Sequence, residues 1–418
     1  MSQRLFNRNF TMVLIGQLIS LFGNSILRFA LSLYVLDITG SATIFGSITA
    51  IAIIPTIVLS PFGGLISDRV NRRNIMVVLD FTTSALVLGF GIFLTEKNAI
   101  SLIAIMLILL SIIQACYTPS VNSSVPLLET EENLIKANAV VNQATMLANL
   151  IGPVLGGVLY GFFGAMPIVW VSGICFFASA ILEIFIHIPF EPPAKKSNIL
   201  YIIKNDFKDS IRYILKEQPS IYKITVIMAV YNFFIVSIVT IGMPYMIRTI
   251  LKLSSELYGT AEGLMAGAGI AGGVISGLIA NKLKTSKLYL LLVFSGMSII
   301  PIGCVFLFGF SPMICYIIIT ACIMVLQLFI TLFSIFVLSA TQRKTPNHLL
   351  GKVTAYIMTM TMCAQPLGQA IYGILFDYFS NSLYLLLIIT AIIAALIGVI
   401  SKKVFLEFDN PGTSENWR

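Results

Sequence analysis

Charge is what this sequence most lacks. Only 11% of its 418 residues are Asp, Glu, Lys or Arg, against a hydrophobic share of 57%, whereas a soluble globular domain carries about a quarter charged residues. A chain this long and this apolar cannot keep its surface wet, so the expected solvent is lipid. Histidine is scarce, with only His187 and His348. HExxH, a GxSxG nucleophile elbow, a metal-spaced cluster and a phosphate-binding glycine loop are all missing, which argues against an enzyme and against direct use of ATP. No metal and no cofactor is expected. The six cysteines (116, 175, 304, 315, 322, 363) show neither CxxC nor paired loop spacing. They read as small packing residues. The net charge of +8 never gathers on one amphipathic face, so no nucleic-acid partner is expected. A cleavable signal is missing too: after the short polar stretch Met1–Asn9 the apolar run continues well past signal length.

What the sequence has is apolar runs. Hydrocarbon about 30 Å thick needs roughly 20 residues of helix. Runs of that length predict spans at Phe10–Leu36, Thr43–Ile66, Ile75–Leu94, Ile100–Val125, Ala137–Phe163 and Pro167–Ile188. A second set is predicted at Ile221–Ile247, Tyr258–Ala280, Leu288–Phe310, Met313–Ala340, Leu350–Phe376 and Leu383–Phe405. The fold class is therefore an all-α membrane protein with twelve transmembrane helices in two pseudo-symmetric six-helix bundles. The expected divisions are residues 1–190, the N-terminal bundle; 191–220, a cytoplasmic linker; 221–405, the C-terminal bundle; and 406–418, a cytoplasmic tail.

Charge checks that division. With the N-terminus inside, inner segments hold Arg4, Arg8, Arg69, Arg72, Arg73, Lys136, the Lys195–Lys223 group, Lys282, Lys284, Lys287, Arg343, Lys344, Lys352, Lys402 and Lys403. The outer loops hold only Lys97, Arg248 and Lys252. Such asymmetry requires an even number of spans with both ends cytoplasmic. In the linker, Glu191-Pro192-Pro193 ends the sixth helix. Beyond it Ile199, Ile203, Phe207, Ile211 and Ile214 recur at helical steps, which fits an amphipathic helix on the inner surface or a solvated helix linking the two bundles.

The halves repeat internally. Gly64-Leu-Ile-Ser-Asp68-Arg69 corresponds to Gly277-Leu-Ile-Ala-Asn281-Lys282, and Gly152…Gly157-Val-Leu159 to Gly368…Gly373-Ile-Leu375. Repeated bundles mark a transporter that rocks one half against the other around a midplane site.

The segment Gly64-Leu65-Ile66-Ser67-Asp68-Arg69-Val70-Asn71-Arg72-Arg73 is similar to the GxLxDRxGRR signature of major facilitator superfamily transporters, and that resemblance covers the whole chain. Asn71 replaces the usual glycine, and Asn tolerates the left-handed conformation such a turn would need. The resemblance implies a conformational latch of Gly64, Asp68, Arg69, Arg72 and Arg73, with Arg343 and Lys344 in the Thr341–Lys352 segment as the opposing partner. Gly152-Pro153-Val154-Leu155-Gly156-Gly157 resembles the GPxxGG element that the family associates with antiporters. Proline there bends the helix and the glycines allow close packing. Gly16-Gln17-Leu-Ile-Ser20 with Thr39-Gly40-Ser41, Pro55…Pro61-Phe-Gly63 and Asn133-Leu-Ile-Lys136-Ala-Asn138 look like the macrolide-efflux-type branch of drug:proton antiporters. The resemblance implies proton-coupled efflux of small hydrophobic compounds from the bacterial plasma (inner) membrane by a protein working as a monomer. Its partners would be substrate, protons and the lipid bilayer.

Charges within spans cost at least a few kcal/mol, so each is a functional candidate. Arg28 could meet an anionic substrate group or a carboxylate; its plainer role is pairing with Asp37 or a carbonyl. Asp80, Glu183 and Glu262 are the proton-coupling candidates. For Asp80 a static pairing with Arg72 or Arg343 is the simpler reading. For Glu183 it is an interfacial pair with His187, one turn away. Asn24, Arg28, Gln114, Tyr117, Asn232 and Gln327 are the candidates for the substrate cavity, with Phe233, Phe234 and Phe329 as apolar wall. Export or flipping of a siderophore or lysolipid, a proton-linked importer, a channel and, more remotely, a membrane-embedded enzyme are the competing readings.

Overall fold

A computed structural model describes residues 6–190, 211–280 and 282–409. Among the described residues there is no strand. Twelve long helices follow in order: α1 (Arg8–Thr39), α2 (Ala42–Arg69), α3 (Arg72–Phe93), α4 (Ala99–Leu128), α5 (Glu131–Phe163) and α6 (Ala165–Ile184), then α7 (Pro219–Ile250), α8 (Ser255–Ile279), α9 (Thr285–Phe308), α10 (Pro312–Lys344), α11 (Asn347–Tyr378) and α12 (Leu383–Asp409). Each expected span falls on one of them. Among the described residues, eleven helices are long and apolar enough to cross a membrane. The twelfth, α11, has the length at 32 residues, but Thr354, Thr359, Thr361, Gln365 and Gln369 dilute its apolar run. Large apolar side chains such as Phe93, Leu278 and Ile400 point outward, more than two-thirds exposed, as they do where the surrounding solvent is lipid.

The helices fall into two compact units. The first takes Met1–Thr39, Ile51–Ile199 and Ser254–Gly263; the second takes Gly40–Ala50, Leu200–Leu253 and Leu264–Arg418. In the first, α3 packs on α4 and α6, and α1 packs on α4, α5 and α6. In the second, α9 packs on α10 and α12, and α7 on α11 and α12. The sequence repeat is thus a repeat of helix pairings.

Several local expectations change. α6 stops at Ile184 rather than Ile188, since Ile188 precedes Pro189 and a residue in that place avoids helical dihedrals. α5 begins at Glu131, so Asn133–Asn138 is its first two turns. Asn71 is not left-handed: its φ is −58° and its side chain accepts the Arg73 N–H as the N-cap of α3, which glycine could not do. α9 is interrupted after Met297 and resumes at Ile300, because Pro301 offers no N–H to the turn before it. α7 winds as wide π turns over Asn232–Val236, Ile238–Gly242 and Tyr245–Ile250. Of the expected linker helix, residues 191–210 lie outside the described residues, as do tail residues 410–418.

Candidate functional site

α1 buries Gly16, Gln17, Ser20, Gly23 and Leu27, a three- and four-residue spacing that keeps one face against its neighbours. The small residues let α6 come close: a Cβ on Gly16 would sit 3.3 Å from both Ser179 Oγ and Glu183 Cγ. A buried polar cluster fills this contact. Ser20 Oγ lies 2.6 Å from Asp80 Oδ2 on α3 and 2.9 Å from Ser179 Oγ on α6, and Ser179 Oγ donates to the Gly16 carbonyl at 3.0 Å. One turn along α6, Glu183 accepts the Tyr117 hydroxyl of α4 at 2.9 Å. Asp80 is 2% exposed and Glu183 1%. Glu183 Oε2 and Gln17 Oε1 touch no polar partner. Two buried carboxyls so placed, without a cation bonded to either among the described residues, resist holding two negative charges at once.

The expected partners of both acids are therefore replaced. Asp80 is bonded to serine rather than to Arg72 or Arg343. His187 is exposed and takes Asn9 as partner through its backbone N–H, because α6 has ended before it. Asp80, Ser20, Thr83, Asn24, Gln114 and Tyr117 line a void of about 10 Å³, room for about one water. The structure thus joins three of the cavity candidates to a proton-coupling candidate. Arg28 lies one turn on: Nε donates to Asn24 Oδ1 at 3.0 Å and Nη2 to Ser111 Oγ at 3.1 Å. Asp37 takes the Tyr160 hydroxyl instead, at 3.0 Å. On the opposite flank of α1, Leu18, Phe22 and Ile26 with Leu159, Phe163 and Val171 line an apolar groove of about 550 Å³.

The remaining cavity candidates belong to the second unit. Asn232 Nδ2 donates to the Met228 carbonyl at 3.0 Å, and Gln327 Nε2 to Thr331 Oγ1 at 3.4 Å. Phe233 lies edge-on to Phe234 at 4.9 Å, and Phe329 stacks on Phe294 at 5.8 Å.

The GPVLGG segment is a seam between α5 and two neighbours. Gly152 abuts Ser25 and Gly156 abuts Phe29, both on α1, while a Cβ on Gly157 would meet the Ser255 carbonyl of α8 at 2.5 Å. Pro153 leaves its carbonyl against Gly259, where a Cβ would stand 2.5 Å away. Glu262 lies one turn beyond on α8. It accepts the Tyr258 hydroxyl at 2.6 Å, and the Tyr258 ring stacks on Phe29 at 5.0 Å. This candidate therefore sits against the seam, apart from the Asp80 cluster.

In the first turn of α3, Arg72 Nε donates to Ser123 Oγ at 3.1 Å and Arg73 bonds the Ile184 carbonyl. These two arginines tie α3 to α4 and α6 within the first unit. Gly64 has open space where a Cβ would stand. The side chain of Asp68 lies outside the described residues. Arg69 ends α2. Arg343 is exposed in the last turn of α10, in the second unit.

Ser20, Ser179 and Gly16 were not singled out as site residues by sequence. The signal was present in the Gly16–Ser20 segment and in the Ser179–Glu183 spacing of four, which puts both on one face of α6.

A profile of the Major Facilitator Superfamily matches residues 13–369. Macrolide efflux protein A of Streptococcus pyogenes is 23% identical over 401 residues, covering 93% of this chain and 95% of that protein. Multidrug resistance protein 2 of Bacillus subtilis is 30% identical over 148 residues, 35% of each chain. Among solved structures, a bacterial homologue of the human lysosomal transporter Spinster superposes with a TM-score of 0.72 at 12% identity, covering 98% of this chain and 99% of that one. A bacterial homologue of the iron transporter ferroportin superposes with a TM-score of 0.70 at 18% identity, covering 98% and 100%.

Proposed function

This chain belongs to the Major Facilitator Superfamily, and from that premise we propose that it is a secondary active efflux transporter exchanging protons for small hydrophobic or amphipathic compounds of the macrolide class by alternating access. Similarity to macrolide efflux proteins along nearly the whole chain supports the cargo class. The observation that carries the coupling is the pair of buried carboxyls, Asp80 and Glu183, with no bonded cation among the described residues. A secondary transporter needs a group that takes and releases a proton within the membrane, and intramembrane acids are the ordinary means. The apolar groove on the other flank of α1 has the volume of a small-ligand site,.

In this reading Asp68 with Arg69, Arg72, Arg73 and Arg343 forms the inner latch, and the Gly152–Gly157 seam seals one pathway while the other opens. The protein works as a monomer in the bacterial plasma membrane with both termini in the cytoplasm, as the basic inner loops favour.

The test is pH-gradient-driven uptake of labelled macrolides, dyes, lysolipids and siderophores into inverted membrane vesicles, with and without a protonophore. Macrolide accumulation that collapses with the protonophore is the expected result. Accumulation indifferent to the protonophore would overturn the coupling, and accumulation of siderophore or lysolipid alone would overturn the cargo class.

A further inference from the structure

Three oxygen contacts run in line through the polar cluster: Asp80 Oδ2 to Ser20 Oγ at 2.6 Å, Ser20 Oγ to Ser179 Oγ at 2.9 Å, and Ser179 Oγ to the Gly16 carbonyl at 3.0 Å. Each is within hydrogen-bonding distance, and a separate hydrogen bond in each takes three hydrogens. The two serine hydroxyls supply one each, and a carbonyl supplies none. A third hydrogen can come only from a protonated Asp80. With it the chain closes: Asp80 donates to Ser20, Ser20 to Ser179, and Ser179 to Gly16. An ionised Asp80 would instead draw on the hydroxyl hydrogens of Ser20 and Ser179, both of which bond its carboxyl, and would leave at least one of the three contacts without a hydrogen.

The surroundings agree. Ser20 and Gln17 on α1, Tyr117 on α4, and Ser179 and Glu183 on α6 form the polar shell. The nearest basic group described on α1 is Arg28, two turns from Ser20 and held by Asn24 and Ser111. Glu183 is buried with one oxygen bare. An uncompensated charge there is strongly disfavoured, and a negative Glu183 would deny one to Asp80. The two acids differ in access. Asp80 lines the small polar void with Thr83, Asn24 and Gln114, which leaves room beside its carboxyl for about one water. Glu183 does not line that void.

We propose that the Asp80–Ser20–Ser179 cluster is a proton-binding site, occupied in this arrangement, and that Asp80 is the residue from which the exchanged proton is loaded and released. The Ser20 hydroxyl reports the state of the site: it donates to Ser179 when Asp80 is protonated and to Asp80 when the proton leaves. That reversal offers α1, α3 and α6 two hydrogen-bond arrangements differing by one proton. The assignment of transport to this proton rests on the antiport reading; the occupancy of the site does not.

Two measurements test it. Asp80→Asn keeps the shape and can donate to Ser20 as the protonated acid does. The variant should lose pH-gradient-driven accumulation by at least about tenfold, corresponding to 1.4 kcal/mol of lost coupling, while still exchanging labelled for unlabelled substrate with no gradient. Retained gradient-driven accumulation would overturn the proposal. So would accumulation driven by a sodium gradient in the wild-type protein. The second measurement needs no substitution: infrared spectra of wild-type protein carrying ¹³C-labelled aspartate should show a protonated carboxyl C=O band at neutral pH that fades as pH rises. Absence of that band overturns the site. A band in a wild-type protein whose transport ignores the pH gradient would support the proton site and overturn the antiport reading alone.

Discussion

The two units use one set of helix contacts for different chemistry. In the first, α3 meets α6 and α1 across Asp80, Ser179, Glu183 and Ser20. In the second, the matching contact of α9 with α12 is apolar and tight: Gly398 abuts Val293, and Gly296 abuts Ala394 and Ala395. The register that pairs Asp68 with Asn281 puts Val293 where α3 carries Asp80. The second unit's nearest hydroxyl pair, Tyr231 with Ser295, includes no acid. A repeated scaffold therefore carries an asymmetric charge, and in the proposed antiport it is the first unit that holds the proton.

The largest effect should come from exchanging these characters. Val293→Asp places a carboxyl against Gly398 in an apolar helix contact and should destabilise the fold by about 2.5–3.5 kcal/mol. Asp80→Val should leave stability nearly unchanged, because two serine hydrogens then serve two remaining bonds and an apolar group fills the space, while proton-driven transport disappears. Thermal unfolding in detergent beside vesicle uptake compares the two. Equal destabilisation by both substitutions would erase the distinction between the units.

The seams between helices test the opposite point, that the scaffold itself is repeated. Gly152 abuts Ser25 as Gly368 abuts Ser237, and a Cβ on Gly157 would lie 2.5 Å from the Ser255 carbonyl as one on Gly373 would lie 2.6 Å from that of Ala42. Alanine at Gly157 or Gly373 would force backbone apart, and overpacking of this kind costs about 1–3 kcal/mol. Both variants should lower the unfolding midpoint to a similar degree. Tolerance of Gly373→Ala beside a damaging Gly157→Ala would show that the seams are not equivalent.

These glycine pairs were legible in the sequence because a close approach leaves few residue choices, and so were the twelve spans, because lipid dictates their length. The polar cluster was legible only in part. Asp80 and Glu183 stand out as charges in apolar runs, but their partners do not. Ser20 and Ser179 are small, neutral and common in membrane helices, and only packing reveals that they face the same carboxyl. The Glu183–His187 pair failed because helical spacing says nothing about where a helix ends. Asn71 misled for a related reason: a residue that tolerates a left-handed turn is also a good N-cap.

A smaller contrast concerns the hydroxyls. Tyr117→Phe removes the only hydrogen-bond donor described for Glu183, which should cost about 1–3 kcal/mol. Tyr231→Phe removes a hydroxyl from Ser295, which keeps its bond to the Leu292 carbonyl at 2.9 Å. That loss should be nearer 0.6 kcal/mol, the average for interhelical bonds in a membrane protein. Denaturant titration of the pair in mixed micelles would rank them, and a larger loss from Tyr231→Phe would contradict the asymmetry.

The smallest effect lies at the ends of the seams marked by Gly161 and Asp377, where the repeat moves an acid from one helix to the other. Gly161 of α5 leaves room for the Glu256 carboxylate of α8; the matching position on α11 is Asp377. Asp377 accepts Ser41 Oγ at 2.6 Å and the backbone N–H groups of Ala42 and Thr43 at 2.8 and 2.9 Å, so it caps the positive end of α2. It lies past the apolar run of α11. Burial alone would raise its pKa, but the hydrogen bonds from Ser41, Thr43 and Ala42 outweigh burial and hold it below the ordinary value of 3.8. A carboxylate with a lowered folded pKa contributes stability above its unfolded value and loses it as pH falls through the folded one. The cap should therefore be constant from neutral pH down to about 5 and fail only below about 4. Asp377→Asn should cost about 0.3–1 kcal/mol at neutral pH, read as faster hydrogen exchange at Ala42 and Thr43. Exchange that quickens between pH 7 and 5 in the wild-type protein would mean that the N-terminal end of α2 answers to another group, and that the two seams differ in more than the placement of an acid.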